Sequence, residues 1–122
     1  MYNNSNTLGR EVILIVVTLF DESATLNSFH IDALIENGSL KIVGHDRGPV
    51  IENMYGEPEH EYFYKFTPDR TKYLYNCLKS DCLSDEDLLS LIQKLFTGTA
   101  VTRKLRDYCK MHDISFEYHD EI

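Results

Sequence analysis

The groups in this chain that could move protons or hold a metal are five histidines and twenty Asp and Glu side chains. Their spacing argues against both uses. His60 lies among Glu57, Glu59 and Glu61, but a strand would turn Glu59 and Glu61 to one side and His60 to the other. His112 and His119 are separated by a helix-to-strand break, and neither H-x-x-x-H nor H-E-x-x-H occurs. No metal site is expected, and no cofactor. Asp46 and Glu52 are a conceivable acid–base pair, yet carboxylates are so abundant that chance accounts for their proximity. Nucleophilic serine motifs, phosphate loops and dinucleotide fingerprints are missing. Arg47, beside a predicted helix start, could hold an anion. The expectation is a protein without a catalytic set, not an enzyme.

The tyrosines point elsewhere. Tyr55, Tyr62 and Tyr64 cluster with Glu52, Glu57, Glu59 and Glu61. A tyrosine ring contributes contact area and its hydroxyl a hydrogen bond, so aromatic residues with an acidic rim suit a protein-binding surface. The candidate partner-binding residues are Glu52, Tyr55, Glu57, Glu59, Glu61 and Tyr62. Alternate members of 62–66 must face a core, so part of this set is packing. Two further acidic groups span Asp81–Asp87 and Asp113–Glu121. The basic run Arg103–Lys110, interrupted by Asp107, reads as a solvated helix face.

Most of these residues fall between His45 and Phe66, a stretch that must position them. Gly48-Pro49 signals a turn, with Pro49 suited to the first position of a helix. Val50, Ile51, Met54 and Tyr55 then supply a short apolar face. Gly56 suits a left-handed helix end, and Pro58 blocks continuation. From Glu59 to Phe66 the chain alternates, with Tyr62, Tyr64 and Phe66 on one side and Glu61, Phe63 and Lys65 on the other. The order Asp46, Gly48-Pro49, Glu52, Gly56, Glu61-Tyr62 resembles a group of small bacterial proteins with a D-x-G-P…E…G…E-Y pattern after a β-hairpin. The resemblance covers the middle third of the chain and extends toward the helical end. It implies a compact α+β fold and a bacterial or phage origin, and supplies no catalytic residues.

The remaining elements follow from pattern. Residues 1–10 are polar and are expected to be flexible. Glu11–Phe20 reads as a strand buried on both faces, with a short buried helix as the alternative. Asp21–Asn27 reads as a loop. Ser28–Glu36 and Ser39–Gly44 flank Asn37-Gly38, a strong hairpin signal. Thr67 and Pro68 open a helix with Tyr73, Leu74, Cys77 and Leu78 inward. Ser84 caps a second, with Leu88, Leu91, Ile92, Leu95 and Phe96 as its stripe and Gly98 as its end. Thr99 or Thr102 starts a third, with Val101, Leu105, Tyr108 and Cys109 inward, and Ile114–His119 alternates as a last strand. The expected fold is one α+β domain over residues 1–122: an antiparallel sheet of four to five strands with about three helices on one face.

With 122 residues and 43% hydrophobic content, the chain is long enough for a real core. Its formal charge of −8 opposes binding to nucleic acid or an anionic membrane and favours a basic protein partner. Cys77, Cys82 and Cys109 contain no C-x-x-C and are expected as buried thiols. With no apolar run long enough to span a bilayer, this places the protein in a reducing cytoplasm. The functional expectation is an acidic, non-enzymatic binder of immunity or antitoxin type that neutralises a basic toxin such as a nuclease domain. The alternative is a small enzyme or ligand-binding protein with a pocket between sheet and helices. Oligomeric state is not legible in the sequence.

Overall fold

A computed structural model describes residues 14–23, 26–78, 85–98 and 100–121. It is α+β. Five strands form one antiparallel sheet in chain order: β1 (Val16–Ser23), β2 (Ser28–Glu36), β3 (Ser39–Arg47), β4 (Glu59–Lys65) and β5 (Glu117–Glu121). A short helix, α1 (Pro49–Tyr55), links β3 to β4; α2 (Pro68–Leu78), α3 (Asp85–Leu95) and α4 (Val101–Met111) lie between β4 and β5.

Turn chemistry sets the hairpins. Asn37 and Gly38 both take positive φ (54° and 82°), the conformation that a two-residue hairpin turn needs. Gly48 and Pro49 open α1, and Gly56 closes it with φ 83° and its N–H on the Glu52 carbonyl at 2.8 Å. Thr67 caps α2 as expected: its Oγ1 accepts the Arg70 N–H at 3.2 Å.

Inward positions on the strands, Leu19, Ile31, Ala33, Ile35, Leu40, Ile42 and Tyr64, and Phe66 just after β4, pack against Leu74 of α2, Leu88, Leu89 and Ile92 of α3, and Val101, Leu105 and Cys109 of α4. All three longer helices therefore cover the same sheet face.

Several expectations need correction. The strand expected at Glu11–Phe20 appears as β1, which starts at Val16, runs on to Ser23 in the first part of the expected loop Asp21–Asn27, and lies at the sheet edge; residues 1–13 lie outside the described residues. It is not buried on both faces: Val16 is 47% exposed, because no helix covers the side it faces. A register shift between Thr18 and Phe20 turns Leu19 into the core. On α1 only Ile51 is buried, while Val50 and Met54 are exposed; seven residues have one inward turn. Tyr73 of α2 is exposed and Thr71 takes the inward place. In α3 Leu89 is buried and Leu95 exposed. Helix α4 starts after Ala100 with no side-chain cap, so Thr102 lies inside it. Strand β5 starts at Glu117, and Ile114 is a buried core residue ahead of it. Cys77 is half-buried and Cys109 buried, both as free thiols. Cys82, Ser84, Thr99 and most of Asp81–Asp87 lie outside the described residues.

Candidate functional site

The strand register builds two rows of neighbours on the helix-facing side of the sheet. One runs Glu22, Phe29, Asp46, His60 across β1 to β4. The next runs Phe20, Ile31, Gly44, Tyr62, Asp120 across β1 to β5. Three polar side chains, Glu22, Asp46 and His60, thus stand in one row on the face that carries the core. Above them lies a cleft of about 280 Å³ lined by Phe20, Glu22, Phe29, Ile31, Asp46, Tyr62 and Thr102.

Gly44 makes room for this arrangement. A Cβ at Gly44 would overlap the Tyr62 ring and hydroxyl, so the ring lies over the glycine backbone. The hydroxyl is pushed well above its ordinary value, first by burial and then by the Asp46 carboxylate; it stays neutral and can donate. Burial likewise pushes the Asp46 carboxyl up, while His60 and His45 pull it back. Among the described residues, no hydrogen bond or ion pair reaches the side chains of Glu22, Asp46 or Thr102.

His60 is the buried polar group of the inward face, 3% exposed. Its Nε2–H donates to Asp120 Oδ1 at 2.6 Å, and its ring stacks on Tyr55 at 4.0 Å between centroids. Tyr62 flanks it at 5.4 Å. Among the described residues, the ring's buried Nδ1 has no hydrogen-bond partner. The sequence reading separated His60 correctly from Glu59 and Glu61 but missed Asp120, which lies 60 residues away in the chain.

The six candidate partner-binding residues divide. Glu52 is exposed on α1 and Glu57 in the turn that follows. Glu59 and Glu61 are exposed on the sheet side away from the helices; Glu59 pairs with Arg47 at 3.4 Å and His45 at 3.2 Å, and Glu61 lies 3.9 Å from His45. Tyr55 and Tyr62 turn the other way, Tyr55 stacking on His60 and Tyr62 lying tilted beside it. The four carboxylates therefore surround one end of the sheet, while the two rings pack beneath it. Asp46 and Glu52 do not form a pair: one lines the cleft and the other is exposed. Arg47 is engaged by Glu59.

The open sheet face carries a further constellation. His30 bonds Asp21 through Nδ1 at 3.1 Å and Asp32 through Nε2 at 2.8 Å. Carboxylates only accept, so both ring nitrogens donate, which requires the imidazolium. The Asp21 bond is the largest cause of His30's raised pKa. His30 and Asp32 share a face by alternation, a signal present in the sequence; Asp21 joins them only through the β1–β2 register. Among the described residues, no group of three His, Cys, Asp or Glu side chains is placed to hold a metal ion.

No protein-family model, curated protein or solved structure matches the chain.

Proposed function

We propose that this is an acidic, non-enzymatic binding protein of the bacterial cytoplasm, of immunity or antitoxin type, that neutralises a basic toxin such as a nuclease domain by covering its surface. One observation carries the reading. Glu52, Glu57, Glu59 and Glu61 are exposed together around the α1 end of the sheet, in a chain of net charge −8. Such a field attracts a basic partner and speeds encounter, and the desolvated parts of the contact then set its lifetime. The test is a salt series of binding kinetics for Glu57→Lys, Glu59→Lys and Glu61→Lys combined, against the protein that co-purifies with the chain. All three side chains are exposed, so the fold is retained. Association slows markedly at low salt, and the difference fades as the Debye length shrinks from about 10 Å at 0.1 M to about 3 Å at 1 M. Unchanged association overturns the reading.

A second reading, a small-ligand protein using a pocket between sheet and helices, is favoured by the cleft over β1 to β4 and by its Glu22, Asp46 and Thr102 side chains, which have no hydrogen-bond or ion-pair partner among the described residues.

A further inference from the structure

We propose that this cleft is a site for an organic cation, a guanidinium or alkylammonium group, with Glu22 and Asp46 as its counter-ions. The inference rests on the small-ligand reading and names its ligand class.

Charge is the first argument. Among the described residues, the cleft has two carboxylates and no Lys, Arg or His in its lining. Neither carboxylate has an ion-pair partner among the described residues. Asp46 is moreover half-buried on the inward face, where an unpaired charge is costly and an arriving cation offsets that cost.

The walls are the second argument. Phe20, Phe29 and Tyr62 offer aromatic surface, which attracts a delocalised or alkylated cation. A hard divalent metal ion is a poorer fit, since it needs about six oxygen ligands, and no three-ligand group is formed by the described residues.

Hydrogen-bond polarity is the third. His60 stands directly across the β3–β4 ladder from Asp46 on the same face. Its Nε2–H donates to Asp120, and its buried Nδ1 has no hydrogen-bond partner among the described residues; in the neutral imidazole that nitrogen is an acceptor. Guanidinium and ammonium groups carry donors only, so they complement the Glu22 and Asp46 carboxylate oxygens of the lining, which accept no hydrogen bond from the described residues. At about 280 Å³ the cleft sits at the small end of ligand pockets, which start near 300 Å³, and suits a group the size of one side chain. Two sources share that chemistry: a free small molecule, or an arginine or lysine side chain of a protein partner.

The experiment titrates the whole chain with butylguanidinium and with its neutral isostere butylurea, following backbone amide resonances. Butylguanidinium is expected to shift Gly44 and Thr102, with butylurea at least about ten-fold weaker. Asp46→Asn and Glu22→Gln should each weaken butylguanidinium by a similar factor while the rest of the spectrum stays folded. Equal binding of butylurea overturns the cation and leaves a pocket for neutral ligands. Failure of both probes to shift cleft amides at about 10 mM overturns the cation and the pocket together. Unchanged affinity in both variants also overturns the assignment. A third probe, acetyl-Gly-Arg-Gly-amide, separates the sources. Tighter binding than butylguanidinium supports a cation presented by a protein backbone, and weaker binding supports a free one.

Discussion

Gly44 and Tyr62 show how one missing Cβ shapes the cleft. The ring occupies the space that any larger residue at 44 would need. Gly44→Ala must displace either the ring or the strand, and should lower stability by about 1–3 kcal/mol in urea unfolding. In a Tyr62→Ala background the cost should largely vanish, as a double-mutant cycle would show. A cost unchanged by removing the ring would place the conflict in the backbone. His30 offers a pH-dependent counterpart. Its folded pKa lies above the ordinary 6.5, through the Asp21 bond first and Asp32 with it. The stabilisation it contributes is then complete below about pH 6.5 and is lost as pH rises through the folded value. The ring is 42% exposed, so the contribution is small. An NMR titration should find His30 above 6.5, and Asp21→Asn should bring it back down; a midpoint unmoved by that change would assign the shift to Asp32.

Between elements, a buried threonine joins the sheet to a helix. Pairing of β3 with β4 ends at Lys41 and Lys65, so the Leu40 N–H lies beyond the ladder. Thr71 of α2 replaces the missing acceptor: its Oγ1 takes the Leu40 N–H at 3.0 Å and its hydroxyl donates to the Phe66 carbonyl at 3.3 Å. Thr71→Val keeps the shape and leaves the Leu40 N–H buried without this acceptor. It should cost about 1–3 kcal/mol, and Thr71→Ser should recover most of it. A neutral Thr71→Val would mean that water reaches the Leu40 amide. Sequence reasoning placed Tyr73 on the inward face and did not single out Thr71, because apolar character was the only guide. Here the inward residue is selected by a hydrogen bond to another element.

For the molecule as a whole, charge sets the behaviour. A net −8 on 122 residues means self-repulsion in the folded state. Adding salt from about 10 mM to about 150 mM shortens the screening length to about 8 Å. The melting temperature should rise by about 1–3 °C, corresponding to several tenths of a kcal/mol. A fall would show that the ion pairs of the open face, such as Arg47 with Glu59, outweigh the repulsion. The same field underlies the proposed attraction of a basic partner, so salt should stabilise the free protein while slowing that association.

What the sequence determined by itself was local. Alternation placed Tyr64 and Phe66 inward and set His60 opposite Glu59 and Glu61; Asn37-Gly38 and Gly48-Pro49 located two turns; Thr67 capped its helix. Each follows from the pleat or from the φ preference of one or two residues, which the chain carries wherever it folds. The tertiary structure decided who meets whom across the ladder. Glu22 shares a row with Asp46, Asp21 reaches His30, and Asp120 takes the His60 N–H, because strand pairing and the β1 bulge set the offsets between segments far apart in the chain. It also divided the acidic and aromatic residues that the sequence had grouped. Neighbours along a strand point to opposite faces, so Tyr62 went under the sheet end while Glu59 and Glu61 stayed in solvent. A face can be read from local period, but a cleft requires the register, and register is set by turns and by core packing between elements.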